Sequence, residues 1–214
     1  PDLRSLFDFC LVEDFDHLFR FATVLHLSEG KRAEDIVGHL TEITPGRPTI
    51  AEHRHPYDDL HQPLRLSQDA LTSTLHVMTL LALEQQPMQY YMHAGNRLAE
   101  PVARGLYQEI AEISEQHVSL YESLLDPAAS WLQRLVLHEY HECYVYHSLL
   151  QDEHDPRLRG LWKSHLEMEI EHLQLACKLI DQYEGRAARA FLPTEAPPPM
   201  RFQPNQDYVR AILA

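Results

Sequence analysis

Glycine is scarce in this 214-residue chain, with seven in all. Several stretches instead show helical apolar spacing, so an all-α class is expected. Basic residues are few as well: 18 Lys and Arg stand against 32 Asp and Glu, a net charge of −14. The cations are scattered rather than clustered, which argues against a phosphate-binding face and against a nucleic-acid partner. Long apolar runs are lacking too, none approaching the 18 residues that a membrane span needs. With no legible secretory signal, a soluble cytoplasmic protein is the expectation. Cys10, Cys143 and Cys177 are an odd number without Cys-x-x-Cys spacing, each in an apolar helical stretch. They read as small core residues in a reducing compartment.

What is present is histidine and apolar surface. The 15 histidines of an acidic chain point to divalent metal, since imidazole and carboxylate are the ligands that borderline and hard ions select. At 44% apolar, the chain can bury one sizeable core, and one domain is the simplest count.

Helical spacing predicts a first helix over about 3–27 and a shorter one over about 32–42, followed by an irregular segment over 44–66 that contains Pro45-Gly46-Arg47-Pro48 and Glu52-His53-Arg54-His55-Pro56. Irregular segments of that length are usually functional or serve as a cover. Four longer helices follow. Ser67 is the expected cap of the first; Glu100-Pro101, Asp126-Pro127 and Asp155-Pro156 are expected to open the others, and Gly185 to close the last. Three stretches result: an extension and cover loop over 1–66, a four-helix bundle over 67–185, and a proline-rich tail over 186–214. The tail includes Pro197-Pro198-Pro199 and a terminal helix near 206–213, and is expected to wrap the surface or meet a partner subunit.

The four long helices contain a repeat. Glu84 and His117 are 33 residues apart, as are Glu139 and His172, and each member of the second pair follows its counterpart by 55. The same offset aligns Tyr91 with Tyr146 and Leu80-Leu81 with Leu135-Val136, so the unit is a helix pair carrying one inward Glu and one inward His. At about 100° per residue His117 falls among Leu106, Ile110, Ile113, Leu120, Tyr121 and Leu124, whereas Glu109, Glu112, Glu115 and Glu122 fall opposite. His165, Glu169 and His172 lie within the stripe of Trp162, Leu166, Leu173, Ala176, Leu179 and Ile180. Burying one unpaired carboxylate costs several kcal/mol. A shared cation would relieve Glu84, Glu139 and Glu169 together and keep His117 and His172 neutral as ligands.

This pattern of single Glu ligands and Glu-x-x-His resembles the ferritin-like, rubrerythrin-like di-metal carboxylate proteins. Glu84 and Glu139 match the single-Glu ligands, and Glu169-Ile170-Glu171-His172 matches one Glu-x-x-His. The other copy reads Ser114-Glu115-Gln116-His117, with serine where the family places its second bridging carboxylate. The resemblance implies a ferritin-like four-helix bundle with added N-terminal helices and a C-terminal tail helix. It implies a di-iron or iron/manganese oxidoreductase acting with oxygen or peroxide on a small organic substrate. Glu84 and His117 would serve one ion, Glu139 and His172 the other, with Glu169 bridging. Iron is the expected metal, two ions or one, with manganese or zinc as alternatives, and Glu142, His165 or water would complete a site that lacks an acid at Ser114. Ferroxidase or peroxide detoxification is the second expectation, and a non-enzymatic bundle with a degenerate site the third. A homodimer is expected, paired through the amphipathic first helix. Tyr91 and Tyr146 are candidates to hydrogen-bond a ligand or carry an electron, with packing as their default role. His138 is a further candidate to orient a ligand. His53 and His55, with Glu52 and Asp58, and Asp14 with His17 are read as structural before catalytic.

Overall fold

A computed structural model describes residues 3–50, 55, 57 and 60–213. Among the described residues the chain is all-helical: α1 (Leu3–Glu29), α2 (Glu34–Val37), α3 (Leu71–Gly95), α4 (Pro101–Ser123), α5 (Trp131–Asp152), α6 (Pro156–Glu184), a 3₁₀ turn (Ala188–Ala190) and α7 (Gln206–Leu213). No helix among these residues is long and apolar enough to cross a membrane.

Local chemistry sets the helix ends. Gly38, at φ +57°, stops α2 after one turn, so the expected helix over 32–42 is much shorter than its spacing suggests. Glu100 Oε2 accepts the Ala103 N–H at 2.6 Å and opens α4. Asp126 does not cap α5 as expected. Its carboxylate accepts the Leu66 and Ala128 N–H groups, each at 2.9 Å, and so fixes a turn. Ser130 caps α5 instead, accepting the Gln133 N–H while the Gln133 side chain accepts the Ser130 N–H, a reciprocal box. Asp155 caps α6 ahead of Pro156, and Gly185 closes it at φ +60°. Both behave as their sequence implies.

The chain folds into two compact units that do not follow chain order. The first comprises Pro1–Asp59, Glu84–Ser119 and Gln203–Ala214, and the second Leu60–Leu83 with Leu120–Phe202. Helices α3 and α4 therefore contribute residues to both.

In the first unit Cys10 and Phe15 of α1, Leu106, Ile110 and Ile113 of α4 and Val209 of α7 are buried. Phe21, Tyr91 and Tyr107 form a ring cluster with centroids 5.2–5.6 Å apart. Gly95 allows α3 to end against α4, because a Cβ there would lie 2.8 Å from Tyr107 Cβ. Helix α7 is fastened by the Asn205 N–H to Leu40 O at 2.9 Å, by Arg210 to Glu42 at 2.8 Å and by Tyr208 OH to Asp8 at 2.7 Å.

In the second unit α5 and α6, joined by three residues, pack against one another. Leu71 and Leu75 of α3, Val136 and Tyr144 of α5, and Ala176 and Ile180 of α6 form the core, with Phe191 and Leu192 beyond the 3₁₀ turn. Each of the Leu, Val, Ile and Phe side chains contributes roughly 1.5–3 kcal/mol by leaving water. The proline-rich tail runs beside α5 at regular anchors. Tyr144 OH donates to Pro198 O at 3.2 Å, the Met200 N–H donates to Ser148 Oγ at 3.0 Å and the Phe202 N–H donates to Asp152 Oδ2 at 3.0 Å.

Candidate metal centre

The expected ligands fall into two groups, one in each unit. The first assembles on three helices. Glu84 comes from α3 and His117 from α4, and α1 adds Cys10, Glu13, Asp14 and His17 at i, i+3, i+4 and i+7, the spacing of a single helical stripe. The His117 ring is wholly enclosed and clamped between acids. Its Nδ1–H donates to Glu84 Oε1 at 3.0 Å and its Nε2–H to Glu13 Oε2 at 2.8 Å. Asp14 Oδ1 lies 4.0 Å from His117 Nδ1, and one ligand atom from each of Asp14, Glu84 and His117 lies within 4.8 Å of the other two. His17 Nδ1 is 3.8 Å from Asp14 Oδ1, while His17 Nε2 is buried without a hydrogen-bond partner.

Charge in this group is strongly displaced from its ordinary values. Burial pushes the His117 imidazole down, but hydrogen bonds to Glu13 and Glu84 outweigh it and hold the pKa up to about 11. Burial, then the charge of Glu84, raises Asp14 to about 8 against the opposing pull of His117. Burial, then repulsion by His117, lowers His17 to about 4. The group thus stores protons on His117 and Asp14 at neutral pH. A divalent ion that displaced both would leave the buried charge unchanged.

The surroundings hold α1 in place. Asp16, fully enclosed, accepts a bidentate pair from Arg47 at 2.7 and 2.6 Å, with Arg20 at 3.8 Å. Arg20 in turn donates to both oxygens of Glu109 at 3.0 and 2.5 Å. Glu109, read from sequence as a solvated acid, is therefore a partner of α1. Arg47, from the irregular segment after α2, anchors that segment to the ligand helix. Burial chiefly raises the Tyr91 phenol, with smaller contributions from Tyr107, Asp14 and Glu84.

The second group joins Glu139 of α5 to Glu169 and His172 of α6. His172 Nδ1 lies 2.9 Å from Glu169 Oε2 and 3.7 Å from Glu139 Oε2. The acids are mostly covered, with side chains 14% and 16% exposed, but the His172 side chain is 58% exposed. The expectation of a dry interior fails for this histidine. Met168 and Leu175, at i−4 and i+3 on the same flank of α6, are exposed as well, so His172 rides the outer edge of the helix stripe. Burial raises Glu139, with His138 opposing and Glu169 reinforcing the shift, and the hydrogen bond to Glu169 raises His172.

Neither Glu142 nor His165 joins this group. Glu142 is 3.8 Å from His141 Nδ1, and its hydrogen bond to His141 lowers its pKa, while His141 Nε2 is 3.0 Å from Thr79 Oγ1. His165 stacks on Tyr146 at 5.1 Å and 19°, and Trp162 packs against both rings, 6.2 Å from Tyr146 and 6.5 Å from His165. Tyr146 is thus committed to a ring stack. In the loop, the exposed His55 accepts the Tyr57 N–H at 3.2 Å; His53, Glu52 and Asp58 lie outside the described residues.

Sequence reasoning passed over Glu13 and read Asp14 and His17 as structural. The signal was available: acids and a histidine one helical turn apart beside Cys10. Ser114 is buried, and in the first unit the carboxylate that α4 lacks at that position has counterparts on α1. No protein-family model, curated protein or solved structure matches the chain.

Proposed function

We propose that this chain is a ferritin-like divalent-metal protein, a di-iron or iron/manganese oxidoreductase working with oxygen or peroxide on a small organic substrate. The observation that carries the reading is the convergence of Asp14, Glu84 and His117 from three helices, their ligand atoms within 4.8 Å of one another, with His117 enclosed and the Asp14 side chain 46% exposed. The donor set fits the metal. Carboxylate oxygen with imidazole suits iron, manganese and zinc, and the partnerless His17 Nε2 is a buried donor or acceptor beside that set.

Asp14, Glu84 and His117 would hold one ion and Glu139, Glu169 and His172 a second. Bound iron would supply the electrons for reducing oxygen or peroxide. The residues supply the rest: Arg47 and Arg20 fix Asp16 and hence the register of α1, Glu13 orients the His117 ring, and the Phe21, Tyr91 and Tyr107 cluster packs α1 against α3 and α4. The same chemistry without an organic substrate, ferroxidase or peroxide removal, follows if oxygen is consumed by the iron-loaded protein alone.

A second reading has its own support. His117 is satisfied at both nitrogens by carboxylates, so the first group is also a complete ion network without a metal, as a non-enzymatic bundle would have. Anaerobic reconstitution with Fe(II) or Mn(II), then elemental analysis, separates the two. The metal reading expects up to two ions per chain, one lost in Asp14→Asn/Glu84→Gln and the other in Glu139→Ala or His172→Ala. Negligible metal in the unmodified protein rejects it in favour of the network.

A further inference from the structure

Beside the second acid and histidine group, within the same unit, lies a cavity of about 220 Å³. It opens between α5 and α6. Tyr140, Cys143 and Tyr144 line one wall, and Leu166, Ile170 and Leu173 the other. Ala196 of the tail closes part of its rim, where the tail is fastened nearby by Tyr144 OH to Pro198 O. His147 completes the lining, which contains no Asp, Glu, Lys or Arg.

The register of both helices sets this cavity against the ligand candidates. Cys143 is one helical turn beyond Glu139, while Leu166 and Leu173 lie one turn to either side of Glu169 and Ile170 follows it directly. Electrostatics agree with the register. Burial first, then the charges of Glu169, Glu139 and Glu142, raise the Cys143 thiol to about 12. An apolar recess so close to three acids is not needed to hold the acids in place. The recess is open to solvent, with Ile170 on its wall 42% exposed, and its lining is chiefly apolar, so an apolar guest would gain by displacing water from it.

We propose that this cavity is the organic-substrate recess of the Glu139, Glu169 and His172 group, taking an uncharged molecule the size of a single aromatic ring. The proposal rests on the metal reading above and names the substrate class that reading left open. A cation would meet no carboxylate on the walls and an anion no Lys or Arg, so a charged ligand would lose its water with only the His147 imidazole to offset the cost. A molecule much larger than a ring would not fit a space of this volume. The larger cavity of about 400 Å³ in the same unit, near Leu64, Met78 and Leu137, lacks this relation to the acids, and its Ser123 and Asp126 side chains are already engaged by the His61 and Leu66 N–H groups.

Toluene, added to the full chain, is the probe. Methyl NMR of Ile170, Leu173 and Ala196 should shift on titration, in metal-free and Mn(II)-loaded protein alike. Bound Mn(II) should broaden the toluene signals. Cys143→Leu, which fills the cavity from within, and Ala196→Trp, which blocks its rim, should each weaken toluene binding at least tenfold. Circular dichroism checks folding, and Mn(II) electron paramagnetic resonance checks metal loading. Shifts absent from those methyls, or unchanged affinity in both folded variants, overturns the recess itself. Toluene bound at the methyls but left sharp by bound Mn(II) overturns the link to the acids. Absence of bound Mn(II) with intact toluene binding overturns the substrate role through failure of the metal reading, and that outcome is distinct from failure of the cavity.

Discussion

Metal entering the first group must displace protons, and the structure sets how many. His117 is held near 11 and Asp14 near 8, so at pH 7 both carry a proton, and both must lose it to ligate a cation. His117 is held further above neutrality than Asp14, whose side chain is 46% exposed, so the His117 proton is the costlier of the two to remove. Apparent affinity should therefore climb about a hundredfold per pH unit between pH 6 and 8. Above pH 8, where Asp14 has already ionised, the slope should fall to about tenfold per unit. Isothermal titration of chelated protein with Mn(II), in buffers of different ionisation enthalpy, counts the protons directly. About two should leave per ion at pH 7, and Asp14→Asn should reduce that to about one. The same group makes metal-free stability depend on pH. The folded His117 binds its proton more tightly than the unfolded chain does, so its stabilisation is complete below about 6.5 and is lost as pH rises through about 11. A flat affinity profile with fewer than half a proton released would refute the assignment of His117 and Asp14 as ligands.

Three further outcomes test the fold that supports the group. Gly95→Ala sets a Cβ 2.8 Å from Tyr107 Cβ, an atom that cannot move without its helix; a strain of about 1–3 kcal/mol should exceed the helix-propensity gain and lower the urea midpoint. Asp16→Ala leaves the Arg47 and Arg20 guanidiniums without their enclosed partner, so a loss of about 2–4 kcal/mol is expected in denaturant titration, with slower amide protection lost first around 44–48. Ser130→Ala removes one half of the α5 box and should cost about 1 kcal/mol, read as a lower thermal midpoint with unchanged metal stoichiometry.

Much of the helical layout was legible from local chemistry. Asp155-Pro156, Gly185 and Glu100-Pro101 act where short-range hydrogen bonding says they should, because caps depend only on neighbouring residues. Asp126 misled because an acid before proline suits a turn as well as a helix start, and the choice was made by Leu66, sixty residues earlier. The repeat paired Glu84 with His117 and Glu139 with His172, and each pair does lie together, but Glu169, expected to bridge two ions at one centre, groups with Glu139 and His172 alone. It could not reveal that α1 supplies Asp14 and Glu13 to the first, since that meeting depends on tertiary approach. Nor could periodicity distinguish the covered His117 from the exposed His172, which occupy equivalent places in the repeat but have different neighbours.

The tail beside α5 is anchored at every fourth helical residue, Tyr144, Ser148 and Asp152, by every second residue of its own, Pro198, Met200 and Phe202. Four helical residues rise about 6 Å and two residues of polyproline-like chain about 6.2 Å, so helix and strap keep step like two rulers with matching marks. Adding one residue between Pro198 and Phe202 would put later contacts out of phase, whereas adding two could restore them one notch along. Evolution can therefore vary what the strap displays over the cavity at Ala196, but can change its length only in pairs.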